Sequence, residues 1–162
     1  AEERDASRLA EILIFAKRSA YRPIFRDDPV SFGEMQVLPL ALDFRDRPET
    51  RRDIWVFEES FVKGLVRCKR LSGTKGAQYH IDDLYVDPFF QGEGVGGRLL
   101  EHCLEIARRE AAGSVLWVLE KNERARRFYE HRGFAATGRR RRQEGTTEYL
   151  TEYVRPAASN SL

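Results

Sequence analysis

Two adjacent carboxylates, a phenol and a glycine-rich turn are the groups in this chain whose types and spacing suit chemistry. Asp82 and Asp83 stand in a run with strand-like alternation, where a carboxylate can take a proton directly or through water. The plainer reading of the pair is exposed edge charge. Tyr129 follows Asn122 by seven residues and Ala125 by four, so one helical face carries an amide, a small side chain and a phenol. A phenol can protonate a leaving group of similar basicity. Taken alone, Phe128 and Tyr129 also read as core aromatics. Between these groups runs Gln91-Gly92-Glu93-Gly94-Val95-Gly96-Gly97. Glycines let a ligand approach the main chain closely, and a helix N-terminus behind them adds partial positive charge. A turn of this kind suits a phosphate.

These groups need strands and helices to position them. Residues 79–86 read as a strand in which Leu84 and Val86 share a face but Ile81 precedes Leu84 by three, an odd step. One extra residue there makes a β-bulge at Asp82 and Asp83, and bulges re-aim side chains. After the turn, 98–110 is a helix with Leu99, Leu100, Cys103, Leu104 and Ala107 inward. Residues 115–119 suit a buried strand, and 122–132 a helix capped by Asn122 and stopped by Gly133. Upstream, Leu9, Ile12, Leu13, Ala16 and Ala20 predict one apolar face on a helix that starts near Asp5 or Ser7. Residues 21–30 read as a loop, and 32–44 as a second helix interrupted by Pro39. Residues 54–58 and 61–70 form a predicted antiparallel hairpin, 71–77 a loop, and 134–143 with 147–154 a closing hairpin. The tail, 156–162, is expected to fray. The order α-α-β-β-β-α-β-α-β-β predicts one α/β layered domain over 1–155 with a partly antiparallel sheet.

Composition narrows the function classes. With 162 residues the chain can bury one real core. No apolar run approaches the ~20 residues of a membrane span. The charged start, 1–8, does not read as a secretory signal. Scattered His80, His102 and His131, with no Cys or His cluster, point away from zinc. Cys68 and Cys103 would permit a disulfide by count, but the expectation is reduced thiols in a cytoplasmic protein. A net charge of +2 is too small to signal nucleic acid, even with Arg139, Arg140, Arg141 and Arg142 in a run. That run reads as a solvated hairpin, or as a group that draws an acidic acceptor.

Together the two chemical segments resemble the GNAT N-acetyltransferases. Gln91-x-x-Gly94-x-Gly96 is similar to that family's acyl-CoA-binding turn, and Leu84-Tyr85-Val86-Asp87-Pro88 to the strand leading into it. Asn122-x-x-Ala125-x-x-Phe128-Tyr129-x-x-x-Gly133-Phe134 resembles the family's later motif. The strong part of the resemblance covers about 78–136, and the flanking hairpins fit more loosely. The family usually has a strand before its first helix, and this sequence begins almost inside that helix, so the strand is either trimmed or absent.

The resemblance implies a mixed, partly antiparallel central sheet flanked by helices and splayed between the family's fourth and fifth strands, here 79–86 and 115–119. It implies acetyl-CoA as co-substrate and no metal. The pantetheine arm would pair with Leu84, Tyr85 and Val86. The pyrophosphate would sit on the amides of Gln91, Gly92, Glu93, Gly94, Val95, Gly96 and Gly97. Asn122, Ala125 and Phe128 would add contacts. A primary amine of a small molecule, peptide or protein would attack the thioester directly in a ternary complex. Asp83 is the first candidate for its base and Asp82 the second; Tyr129 would protonate the thiolate. Cys103, turned inward, is a weaker candidate as a covalent nucleophile. The acceptor would meet 21–44 and 139–149, where Tyr21, Arg22, Phe25 and Arg26 slightly favour a carboxylate. The implied protein is a monomer or homodimer with no membrane or nucleic-acid partner. The alternative is a non-catalytic acyl-CoA-binding or sensor domain, which would keep the turn without needing Tyr129. A nucleic-acid module built on Arg139 to Arg142 is the third reading, and the near-neutral charge counts against it.

Overall fold

The computed structural model describes residues 1–25, 36–73 and 76–157. In chain order the elements are α1 (Ala6–Phe25), α2 (Val37–Asp46), β1 (Ile54–Glu59), β2 (Phe61–Gly73), β3 (Gly76–Val86), α3 (Val95–Arg109), β4 (Gly113–Leu119), α4 (Glu123–Glu130), β5 (Ala135–Arg142) and β6 (Tyr149–Arg155). The strands form one sheet in the order β1-β2-β3-β4-β6-β5. The pairs β1–β2, β4–β6 and β5–β6 are antiparallel, and β3–β4 is parallel. This is the mixed α/β architecture that the element order predicts. The parallel ladder joins residues 78–81 to 113–116, while β3 runs on to Val86 and β4 to Leu119.

Packing divides the chain into two units, Ala1–Cys68 with Asp83–Glu101, and Lys69–Asp82 with His102–Leu162. In the first, Leu9, Ile12 and Leu13 of α1, Phe44 of α2, Ile54 of β1, and Val62 and Leu65 of β2 form one buried cluster. Ala20, expected on the apolar face of α1, is exposed. In the second unit β4 is buried on both faces, by Val115 and Leu119 on one side and Leu116 and Val118 on the other. A strand covered on both sides reads as a continuous apolar run. Cys103, Leu104 and Ala107 of α3 and Tyr153 of β6 are also buried there.

Several boundaries differ from the sequence expectation. The first helix continues through Pro23 to Phe25, so residues 21–25, expected as loop, are helical. A proline there forfeits one helical hydrogen bond near the end. Pro39 does not interrupt α2 but lies in its first turn, where the N–H has no helical acceptor. The predicted loop over 71–77 is largely strand, because β2 reaches Gly73 and β3 starts at Gly76. Neighbouring strands here override the loop-like composition. Residues 26–35, 74–75 and 158–162, with the expectations made for them, lie outside the described part, as does the side chain of Phe25.

Candidate active site

The two carboxylates of β3 are engaged by cations from β2. Arg67 Nε donates to Asp83 Oδ2 at 2.9 Å, and Lys17 Nζ of α1 is 4.0 Å from Asp83 Oδ1. Lys69 Nζ is 3.0 Å from Asp82 Oδ2. Arg67 and Lys69 are two apart on one strand and share a face, yet their partners are consecutive. Neighbours in a regular strand face opposite ways. The Lys69 and Arg67 stems are long enough to reach consecutive carboxylates from one face of β2.

His80, which the sequence reading passed over, completes this cluster. Its Nδ1 is 3.0 Å from Asp82 Oδ1. The signal was present in the sequence, since His-x-Asp on a strand puts both side chains on one face. The hydrogen bond from His80 is the main reason the Asp82 carboxyl is held well below the usual carboxylate range, at about 2. Partial burial opposes that shift and Lys69 reinforces it. A carboxylate so reluctant to take a proton is a weak general base at neutral pH.

In the first unit Tyr85 carries further contacts. Its hydroxyl is 2.9 Å from that of Tyr21 on α1, and Lys17 Nζ lies 5.6 Å from its ring centroid. Burial is the main cause that pushes the Tyr21 phenol up; the Tyr85 hydrogen bond opposes it and Asp83 adds to it.

The glycine turn starts from a fixed anchor. Asp87 is buried at the end of β3, ion-paired to Arg8 of α1, and its Oδ1 accepts the Phe89 N–H at 2.9 Å. The Asp87 N–H donates to Lys63 O at 2.9 Å, and Arg8 Nε donates to Val62 O at 2.8 Å. Gly92 and Gly94 then take φ of +88° and +82°, left-handed values that a side chain would strain. A Cβ at either would meet nothing within 4 Å, so the turn is open to a ligand on that side. Arg98 N–H donates to Gly94 O at 3.1 Å, and α3 starts at Val95, earlier than expected. Gly96 and Gly97 thus lie in its first turn, among the amides that have no helical acceptor.

In the second unit α4 carries the other motif. Asn122 caps it, with Oδ1 accepting the Ala125 N–H at 3.1 Å. Tyr129 is partly exposed and meets Phe128 and Phe134 edge-on, with ring centroids 5.2 and 5.8 Å apart. It is therefore not a buried core aromatic. Tyr153 of β6 fixes the helix to the sheet, donating to Glu130 at 2.7 Å and accepting from Arg126 Nε at 3.1 Å. No pattern in the sequence pointed to this clamp. Asp83, Tyr85 and the turn thus belong to the first unit, and His80, Asp82, Asn122 and Tyr129 to the second.

Residues 17–134 match the profile of the acetyltransferase (GNAT) family. The chain belongs to this family. It is 37% identical over 81 residues to the N-alpha-acetyltransferase RimI of Mycobacterium tuberculosis, a stretch covering 49% of each chain. It is 42% identical over 60 residues to the peptidyl-lysine N-acetyltransferase YjaB of Salmonella typhimurium, covering 37% of this chain and 39% of that one. The chain thus spans less than half the length of these curated relatives. Among solved structures, the PaiA N-acetyltransferase of Thermoplasma acidophilum, in complex with coenzyme A, gives a TM-score of 0.70 at 18% identity over 94% of each chain. That likeness is one of fold. Within the GNAT fold, the turn and α4 are the two segments that the sequence motifs single out.

Proposed function

We propose that the protein is an acetyl-CoA-dependent N-acetyltransferase that acts on a primary amine of a small molecule, peptide or protein. The turn from Gln91 to Gly97 carries this reading. Two left-handed glycines with open space around them lead into a helix of 15 residues in a GNAT chain. Amides without acceptors at a helix N-terminus suit the pyrophosphate of acetyl-CoA. Leu84, Tyr85 and Val86 would offer backbone groups to the pantetheine arm, and Asn122, Ala125 and Phe128 would add contacts. The curated relatives support an amine acceptor, since one is named for peptidyl-lysine and the other as an N-alpha-acetyltransferase. Two buried thiols fit a reducing compartment, so the cytoplasm belongs to the same proposal.

Acetyl-CoA supplies the thioester. An ammonium must first lose a proton. The amine nitrogen then bonds to the carbonyl carbon, the carbon–sulfur bond breaks, and the thiolate takes a proton. Tyr129 is the donor in this reading, because phenols are protonated at neutral pH and can reprotonate from water. For the base, Asp82 is set too low, and both Arg67 and Lys17 hold Asp83. Imidazole is the side chain suited to proton exchange near neutrality. The base is therefore read as His80, oriented by Asp82, with Asp83 as the second candidate.

The test is thiol release from acetyl-CoA with a panel of primary amines and peptides bearing free N-termini or lysines. Amine-dependent release is expected. Saturable acetyl-CoA binding with no release for any amine would favour the sensor reading instead.

A further inference from the structure

Four consecutive arginines on an exposed edge strand are the charge that acetyl transfer leaves unexplained. Side chains alternate along β5. Arg139 and Arg141 stand over the Trp117 ring of β4, at 5.8 and 4.5 Å from its centroid, while Arg140 stands over Tyr149 at 4.6 Å. Three of the four are already engaged by oxygen acceptors. Arg139 Nη1 donates to Glu152 at 3.0 Å, a carboxylate that also accepts from Thr137 Oγ1 at 2.8 Å. Arg140 grips both oxygens of Glu120. Arg142 Nε donates to Thr146 O at 2.8 Å. Among the described residues, Arg141 meets the indole face and no carboxylate or hydrogen-bond acceptor.

A guanidinium held over an indole keeps N–H donors at its rim for another partner. The stack also restrains a long side chain before a ligand arrives, so less freedom is lost on binding. The fork of donors matches the paired oxygens of a carboxylate or phosphate.

Trp117 sets this fork on the sheet face that carries His80. In the parallel ladder His80 pairs with Val115, and Trp117 lies two residues further on the same face of β4. Helix α4 lies on the other face, because Tyr153, which bonds its Arg126 and Glu130, pairs with Leu116. Two residues of strand span about 7 Å and neighbouring strands are about 5 Å apart, so the Trp117 backbone is about 9 Å from that of His80.

We propose that Arg141, seated on Trp117, binds an oxyanion of the acetyl acceptor. The acceptor would then carry a carboxylate or phosphate on the order of 10 Å from the amine that is acetylated, with the amine toward His80. This rests on the acetyl-transfer reading above.

Initial rates with ε-aminocaproate, ε-aminocaproamide and aminopentyl phosphate compare a carboxylate, its neutral counterpart and a phosphate on similar chains. Wild type should prefer the charged acceptors, and the stronger of the two names the oxyanion. Arg141→Gln should lower kcat/KM for them about 10- to 100-fold, the range of one charge-assisted hydrogen bond, and leave the carboxamide unchanged. Arg142→Gln removes the same charge from the same strand but not from Trp117, and should keep the preference. A second readout needs no turnover. With Trp55→Phe, Trp117 is the remaining one of the chain's two tryptophans. Its emission should respond saturably to ε-aminocaproate, and Arg141→Gln should abolish that response.

If the emission response is present but no amine is acetylated, the transfer reading falls while the oxyanion site stands. If Arg141→Gln keeps both the acid preference and the emission response, the proposal is overturned, and wild type lacking both does the same. Equal losses in Arg141→Gln and Arg142→Gln would mean diffuse steering by the run, which also overturns it.

Discussion

At Tyr129 a change to Phe keeps the ring and its edge-on contacts with Phe128 and Phe134. If the phenol protonates the departing thiolate, Tyr129→Phe should lower kcat by about 10²–10⁴-fold, the usual worth of general acid–base catalysis. Acetyl-CoA affinity should hold, and stability should fall far less than in a core truncation, since no large cavity forms. Single-turnover rates check this. A wild-type rate with chemistry limiting would return Tyr129 to a packing role. At Asp82 the prediction concerns a proton. Its carboxyl sits at about 2, with His80 as the largest cause. A depressed carboxyl contributes stability that is fully present above its unfolded pKa and is lost as pH falls through the folded value. His80→Leu removes the hydrogen bond, so Asp82 should take its proton at higher pH and the acid loss should begin earlier. A carbon-13 titration of the carboxyl reads this directly. An unmoved midpoint would mean that Lys69 alone holds the charge.

Elements meet where side chains allow it, and Gly64 is where β2 meets the start of α3. A Cβ there would stand 2.9 Å from Val95 Cγ1, 3.0 Å from Leu99 Cδ1 and 3.1 Å from Tyr85 O. The Leu99 branch can turn aside, but Val95 is β-branched and stiff in a helix, and the carbonyl belongs to a strand and cannot move alone. Gly64→Val should therefore destabilise by about 1–3 kcal/mol, as overpacking does. It should also weaken acetyl-CoA binding, because Val95 moves with the amides of Gly96 and Gly97. Urea unfolding and calorimetry separate the two effects. Full affinity in a destabilised variant would show that the turn does not depend on this contact. Nothing in the sequence marks Gly64, since its reason is a helix more than thirty residues away. The Arg8–Asp87 pair and the Tyr153 clamp on α4 were hidden for the same reason. What could be read was local. Periodicity predicted the helices and most of the strands. Composition misled at 71–73 and 76–77, which are strand, and at Pro39, where position within the helix matters more than the proline itself.

For the whole molecule, the residues read as contacts of acetyl-CoA fall in both packing units. Leu84 to Val86 and Gln91 to Gly97 belong to the first, and Asn122, Ala125 and Phe128 to the second. A ligand that binds the native state alone stabilises it by mass action, by about 2.7 kcal/mol at a hundred times Kd. For a chain of this size that corresponds to a rise in Tm of roughly 5–10 °C. Adenosine, lacking the phosphates and the pantetheine arm, should have little effect. Hydrogen exchange adds the location, because amides whose N–H donates to a ligand exchange more slowly when it is bound. Protection is expected at 91–97 and again at 122–129. Slowing confined to 91–97 would leave the phosphate turn in place but withdraw Asn122, Ala125 and Phe128 from the cofactor, and with them the case for Tyr129 as the acid. If saturating acetyl-CoA moves neither Tm nor exchange in either segment, the acetyltransferase reading of this GNAT chain fails at its first step, since no later residue assignment survives without the bound thioester.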